Sequence, residues 1–550
     1  MAGTRLQIVG AFVLFALLAA PVAWHLTQVE RVDLPVSRIQ QLSWTASRFG
    51  GLNTFQVDVY SLKSPASSSA LRSSASNVAY SLQNLALTSE QRKTLQKAVE
   101  AGPQSTDDAL ETLLKTPHKR FSIFLLCDEK EASAPVLTVG KYRHGWSSQC
   151  HVKEGDGVHS AIEKLMQKHV YPKSARHNVE TKMARRALRY RLQFSLLKEN
   201  PVTPWNEDLQ TLVDQYLGRF VHKVGALANF SVETQVVQYA KLAKDVTPSV
   251  DGTEFYINAD DLKHFKSAND FLDASVLDDG EQVLHFMAAL PDIAHAPLYI
   301  RSTGQQNKAG LATSFELPGW GLATILNPYL LIGKPSVNSE QESAIPATAT
   351  KARELQRVMG LFVSEFRTLL GVPSFAHRQR QEDAASDNGS RRQLLFLPSS
   401  ADGIADWELD VIMRDRFTEL MQTAIETLQS TVELVEALPE LSVLERVQTR
   451  VETAVTRLEA ILCDSNQKNE QCLEVSDLRS LLAMARQASE LTDAAYYDHT
   501  MIRQLYFPQE QMLGVYAPLL APLILPFLLG LVRELKRFKA KRAAKKDKLQ

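Results

Sequence analysis

Apolar positions along the chain fall into three regimes. In the first they run without interruption. Leu6 to Trp24 and Met512 to Val532 hold no charged residue over 19 and 21 positions. At about 1.5 Å rise per residue the longer stretch makes about 31 Å of helix, enough for a ~30 Å hydrocarbon core. Both are therefore predicted to span a membrane. Pro518, Pro522 and Pro526 recur every fourth residue and share one face. Each removes a backbone hydrogen bond, and in lipid the freed carbonyls need another partner. That predicts a span packed against other membrane helices, against the plainer reading of a kinked single-pass anchor. For Leu6 to Trp24 the rival is a cleaved signal peptide. Pro21 directly follows Ala19-Ala20 and makes a poor cleavage site, while Trp24 suits an interfacial belt. An uncleaved anchor over 6–24 is expected.

In the second regime short apolar runs alternate with helical stripes. Arg120 to Cys127, Pro135 to Tyr142, Val232 to Tyr239, Gln282 to Ala289, Leu298 to Ser302 and Ala312 to Leu326 predict strands. Ser89 to Leu114 (after a Thr88-Ser89 cap), Val158 to His169, Trp205 to Leu227 and Ala347 to Leu370 predict helices, the last ended by Gly371 and Pro373. This mixture predicts an α/β (mixed) domain over 25–378. Lys63 to Ser76 is Ser-rich and reads as a loop, and the polar stretch Gln379 to Arg392 predicts an exposed loop over 379–404. In the third regime, apolar stripes over Trp407 to Leu438, Val443 to Cys463 and Leu473 to Leu491 predict a helical bundle over 405–511. It runs into the 512–532 span, so it is expected next to the membrane.

Charge sets the expected topology. The tail from Arg533 to Gln550 carries nine Lys or Arg and two acids, a net +7, so a chain of net charge −1 leaves −8 for the rest. Basic flanks stay on the cytosolic side. Residues 1–5 and 533–550 are then cytosolic and the bulk lies across the membrane, in a lumen. Arg5 would sit at the cytosolic face, either against an anionic lipid headgroup or as a plain positive-inside residue. Lys546 and Lys548 resemble a dibasic retrieval signal of endoplasmic reticulum membrane proteins, a pattern that a Lys-rich tail also produces by chance. No basic patch outside the tail points to nucleic acid.

Four cysteines are too few for a disulfide scaffold and lack zinc-site spacing. In an oxidising lumen Cys463 and Cys472 can close the turn they bracket, worth roughly 2–3 kcal/mol in the chain-entropy model. Cys127 and Cys150 either pair likewise or remain two buried thiols. Asn229 (Asn-Phe-Ser) and Asn388 (Asn-Gly-Ser) begin glycosylation sequons in the predicted luminal region.

Catalytic patterns are sparse. The sequence has no G-x-S-x-G elbow, no H-E-x-x-H helix and no P-loop. Gly319-Trp320-Gly321 reads as a tight turn presenting Trp320. Cys150 has His151 beside it and His144 nearby, the residue types of a thiol hydrolase. Neighbours on a strand face opposite ways, so the adjacency of Cys150 and His151 is not a dyad. His295 reads as structural. No catalytic residue, metal or cofactor is assigned, and the chain reads as a noncatalytic luminal scaffold. The competing classes are an independent membrane-anchored hydrolase and a membrane tether.

Several stretches carry a resemblance: Ala228 to Gln235, Ala294 to Ile300, Pro318 to Gly321, Phe366 to Gly371, Trp407 to Asp410, and Leu505 to Pro508 followed by the proline-spaced span. In this order they resemble the PIG-S family, S subunits of the glycosylphosphatidylinositol (GPI) transamidase. Residues 60–120 match poorly. The resemblance implies a luminal domain anchored at both ends in the endoplasmic reticulum membrane. The complex it implies exchanges a C-terminal signal peptide for a preformed GPI anchor. It also implies that cleavage belongs to a separate caspase-like subunit, PIG-K, with PIG-T, PIG-U and a Gaa-type subunit as further partners, and it supports glycosylation at Asn229.

Overall fold

A computed structural model describes residues 31–42, 55–62, 78–118, 120–127, 136–149, 152, 156–171, 183–203, 205, 207–240, 246–249, 251–264, 281–301, 311–328, 347–384, 393–399, 402–438, 441–462 and 478–501, with scattered helical positions within 11–18 and 514–540. The fold is mixed α/β, with helices dominating its C-terminal part. It divides into two compact units. One comprises 45–419 and 474–483, the other 1–44, 420–473 and 484–550.

The larger unit is built on three sheets. The first has six strands. β1 (Phe55–Ser61) lies between β2 (Val78–Asn84) and β3 (Arg120–Leu125), parallel to both, with Val57 level with Phe121. Beyond β3 come β5 (His144–Ser147), β4 (Leu137–Val139) and β15 (Leu394–Phe396). Its apolar face (Val57, Val59, Phe121, Ile123) packs with Val158, Ile162 and Leu165 of helix α4 (Gly157–Leu165), which continues into a π-helical turn at Met166–Val170.

The second sheet has five strands, in the order β13 (Ser314–Leu317), β14 (Gly321–Ile325), β10 (Glu281–Leu290), β6 (Arg189–Lys198) and β7 (Asn229–Gln238). Parallel strands sit between layers and bury both faces, so they read as near-continuous apolar runs. Leu284 to Leu290 is buried throughout. On one face Phe194 stacks on Phe286, ring centres 5.0 Å apart, and both meet Phe362 of helix α6 (Ala347–Leu369). Phe220 of helix α5 (Leu209–Val224) meets Phe366 edge-on at 5.1 Å. On the other face Leu197, Met287 and Ala289 cover a small third sheet, through Ile257 of β9 (Phe255–Asn258) and Leu298 and Ile300 of β11 (Leu298–Arg301). The Ala296–Pro297 peptide leading into β11 is cis.

Several expectations change. The helix over Ser89 to Leu114 is two helices, α2 (Ser89–Ala101) and α3 (Pro103–Leu113). Gly102 between them takes φ +124°, a conformation open to glycine, and Pro103 starts the second helix. The Trp205 to Leu227 helix begins at Leu209, because Asp208 caps it by accepting from the Thr211 N–H. Ala312 to Leu326 is a hairpin, β13 turning into β14. The exposed loop over 379–404 is corrected in part. Residues 375–384 form helix α7 (Phe375–Ala384) and Leu394–Phe396 is β15, with Arg378, Glu382, Leu394 and Phe396 buried. The polar run hid both because Glu382 is buried against polar partners: Lys164 at 2.6 Å, Lys168 and the His169 ring. The sequence reading also missed β1, β2, β5, β6 and β9.

Helix α8 (Asp406–Ala437) begins with Trp407-Glu408-Leu409-Asp410, and its first turns are buried although half of them are charged. Glu408 is buried. Its Oε1 accepts from Arg367 Nη2 at 2.8 Å and from Arg378 Nη1, and its Oε2 from Arg367 Nη1 at 3.1 Å and the Ala405 N–H at 2.9 Å. Burial pushes this carboxyl upward. The two guanidinium charges and these hydrogen bonds outweigh it and hold the pKa at about 2. Asp410 pairs with His118 and Arg143, and Arg186 pairs with both Asp415 and Glu419. A charge at these depths survives only when paired.

The smaller unit contains the second half of α8, helix α9 (Glu445–Leu462) and part of α10 (Leu478–Tyr496). Val447, Val451, Val455 and Leu458 form the buried stripe of α9. Asp498 accepts from Arg446 and Arg450 at 2.8–3.0 Å, and Arg450 also donates to the Ala494 carbonyl. A short helix α1 (Val36–Gln41) attaches through a two-pronged Arg38–Glu459 pair, and Arg31 donates to the Val435 carbonyl.

Two stability predictions follow from these pairs. Glu408→Gln removes the anion between two buried cations and is expected to destabilise the larger unit by about 3–5 kcal/mol in denaturant unfolding. Because the Glu408 pKa is lowered, its contribution is complete above the ordinary value of 4.5 and fades as pH falls towards 2. That contribution is about 3 kcal/mol, and the acid limb of stability between those values should flatten in the variant. Asp498→Asn is expected to loosen the smaller unit by about 2 kcal/mol, read as faster amide exchange over 446–450 and 494–501 with unchanged protection in β6 and β10.

Candidate functional cavity

Between α5, α6, α7, β15 and the start of α8 lies a cavity of about 310 Å³. Tyr216 and Phe220 of α5 line one side, and Met359, Gly360 and Val363 of α6 another. Phe375, Phe396 and Trp407 add aromatic walls, and Ser364 and Ser399 add hydroxyls. Helical spacing puts 359, 360, 363, 364 and 367 on one side of α6. The opposite stripe, Leu355, Phe362, Phe366 and Leu369, is buried in the unit.

The cavity floor is the Arg367–Glu408–Arg378 cluster. Arg367 is fully committed: Nη1 also donates to the Gly403 carbonyl and Nη2 to the Pro373 carbonyl. Arg378 lies with its guanidinium carbon 4.9 Å from the Trp407 ring centre and 5.4 Å from that of Phe396, a cation–π contact with two neighbouring rings whose centres are 5.9 Å apart. Its Nε–H is buried and meets no acceptor among the described residues. The charged groups lining the cavity sum to +1, from two arginines and one glutamate.

Of the residues singled out from sequence, Asn229 opens the edge strand β7 with an exposed side chain, and its backbone N–H donates to the Leu188 carbonyl. His295 pairs with Glu199 at 2.9 Å. Trp320 is buried and stacked on His285, ring centres 4.1 Å apart, rather than presented outward. The turn requires glycine at 321, where a Cβ would lie 1.8 Å from the His285 carbonyl oxygen. His144 is fully buried between Asp107 (3.0 Å) and Glu111 (3.6 Å). Burial lowers its pKa, and the two carboxylates outweigh that and raise it. Cys127 is disulfide-bonded. Cys150, Cys463, Cys472, Asn388, Arg5, Lys546 and Lys548 lie outside the described residues. Pro518, Pro522 and Pro526 lie in helical backbone with exposed side chains. Most of 6–24 and 512–532 is outside the described residues, and among the described residues no helix is long and apolar enough to cross a membrane.

The sequence reading missed Arg378 and Glu382. A signal was present: they are four apart, one helical turn, and the apolar run Leu394 to Leu397 interrupts the polar stretch that follows. Two stretches behind the family resemblance meet here, since Arg367 belongs to Phe366 to Gly371 and Glu408 to Trp407 to Asp410.

Comparison with known proteins follows the same lines. The family model for phosphatidylinositol-glycan biosynthesis class S protein, PIG-S, matches residues 10–541. The Homo sapiens "GPI-anchor transamidase component PIGS" is 29% identical over 353 residues, covering 63% of this chain and 57% of the human one. The Mus musculus counterpart is 28% identical over the same shares. The Schizosaccharomyces pombe "GPI transamidase component PIG-S homolog" is 21% identical over 348 residues, 63% of this chain and 54% of that one. The aligned part of the chain thus spans little more than half the length of these relatives. With the family model matched over almost its whole length, the chain belongs to the phosphatidylinositol-glycan biosynthesis class S family.

Proposed function

We propose that the chain is a noncatalytic subunit of the GPI transamidase, the complex that replaces a C-terminal signal of a precursor protein with a preformed GPI anchor in the endoplasmic reticulum. The single observation that carries this reading is the family match over residues 10–541, joined by relatives named as components of that transamidase. In this reading the chain is held by a helix at each end, 6–24 and 512–532, with both termini cytosolic and the two units luminal. The exposed Leu14, Leu18, Leu525, Leu528 and Leu529 support such placement, since apolar side chains of this size face lipid or another helix. The proline-spaced face would meet neighbouring membrane helices. The pairs Cys127–Cys150 and Cys463–Cys472, glycans at Asn229 and Asn388, the Arg5 headgroup contact and retrieval through Lys546 and Lys548 belong to the same reading.

The partners would be a PIG-K-like cysteine protease that performs cleavage, PIG-T, PIG-U and a Gaa-type subunit. The part of this chain would be to hold them. The densely paired charges along α8 support a rigid support rather than a moving part, because each buried ion couples separate segments of the chain. Affinity capture of the tagged full chain in mild detergent, followed by mass spectrometry, is expected to recover the protease-like subunit with multi-span partners. Recovery of the chain alone would overturn the reading. The luminal assignment has its own test. Asn229→Gln is expected to remove one endoglycosidase-sensitive increment of mass, and an unchanged mobility with and without the enzyme in the wild type would place β7 outside a glycosylating compartment or leave the sequon unused.

A further inference from the structure

The cavity over Arg378 carries an inference that does not rest on membership of a complex. Among its charged groups, Glu408 has both oxygens occupied and Arg367 has both terminal nitrogens occupied. Arg378 is different. It is 6% exposed, its Nη1 is held by Glu408, and its Nε–H has no acceptor among the described residues. In a planar guanidinium the Nε–H shares an edge with Nη2, and that edge takes a carboxylate side-on with two parallel hydrogen bonds. Arg378 is one of the residues lining the 310 Å³ cavity, together with Phe220, Met359, Val363, Phe375, Phe396 and Trp407, while Tyr216, Gln356, Ser364 and Ser399 supply its uncharged polar groups.

We propose that this cavity binds a carboxylate borne on a small apolar body. The net charge of +1 on the lining is balanced by a monoanion. A neutral apolar ligand would leave that charge without a counterion, which is unfavourable in a low-dielectric site. Size follows from volume. An apolar cavity of about 150 Å³ holds benzene, so this one takes roughly a dozen non-hydrogen atoms. Two sources present this chemistry, the free C-terminus of a peptide ending in an apolar residue and a free aliphatic or aryl-alkyl acid.

The test is calorimetric titration of the purified full chain with N-acetyl-leucine, its neutral analogue N-acetyl-leucinamide, and 3-phenylpropionate. The acids are expected to bind and the amide to bind at least about tenfold more weakly. Arg378→Gln is expected to abolish the preference for acid over amide. That substitution also disturbs the Glu408 pairing, so a second variant is needed. Gly360 lines the cavity, is helical, and has nothing within 4 Å of where a Cβ would stand. The Cβ of Gly360→Leu would meet no clash, and its side chain would stand at the exposed rim of the cavity, so the variant should keep the melting temperature and weaken binding. A leucine-terminated peptide outcompeting 3-phenylpropionate would identify the peptide source, and the reverse order the free acid; either supports the site. Equal binding of acid and amide, no saturation at about 10 mM acid, or full binding by Gly360→Leu would overturn it. Recovery of partner subunits by the same variants reports separately on the assembly.

Discussion

A single buried glutamate organises the α/β unit. Glu408 sits at the start of α8 and needs cations around it. It has Arg367 from the end of α6 and Arg378 from α7, with the Ala405 N–H completing its shell. An ion in this position costs several kcal/mol to desolvate, and the cost is offset only by close, well-directed partners. The geometry of three helices is therefore coupled. If α6 ended a turn earlier, or α7 were the loop its composition suggests, the carboxylate would be stranded. Specificity of arrangement, more than net stability, is what such a cluster supplies, since an apolar trio of similar volume would hold the helices together in several registers.

The same logic extends along α8. Asp410, Arg414, Asp415, Arg416 and Glu419 each find a partner on another segment: Arg143, the Val170 carbonyl, Arg186, the Ala187 carbonyl and Arg186 again. A helix whose buried side is this polar cannot slide, because every register other than the native one leaves charges unpaired. Its second half, by contrast, buries Met421, Ala424, Ile425, Leu428, Val432 and Val435, an ordinary apolar stripe. The change in character within one continuous helix coincides with the division of the chain into two units at 419/420.

What could be read from the sequence follows from this physics. The apolar stripe of α9 was legible because half-buried helices write their period into the chain. β10 was legible because Val283 to Leu290 is apolar except for His285. β6 was not, although it is an interior strand of its sheet, between β7 and β10. Arg189, Arg191, Gln193, Ser195 and Lys198 interrupt it, and three of them are tolerated for reasons visible only in space: Arg191 meets Glu281, Ser195 accepts from Gln235, and Lys198 donates to the Pro201 carbonyl. β1 carries Asp58, buried beside Arg120, which broke its strand pattern in the same way. The cavity was illegible for a related cause. Its lining comes from five separate segments, and Arg378, whose buried Nε–H meets no acceptor among the described residues, stands at the edge of a stretch whose composition is that of a loop. The resemblance-bearing stretches pointed to the right neighbourhood without showing that Arg367 and Glu408 touch.

Rigidity and an open donor coexist at this place for a physical reason. Arg378 is fixed by its bond to Glu408 and by the faces of Trp407 and Phe396, so one edge of its guanidinium is held without freedom to turn away. A side chain already immobilised has little rotamer entropy left to lose on binding, and the neighbouring cation Arg367 is neutralised by the same glutamate. The cluster that makes the fold unique thus also places a charged residue, Arg378, in the lining of the cavity. Structure and recognition are here two consequences of one buried carboxylate that has more cations around it than it can neutralise.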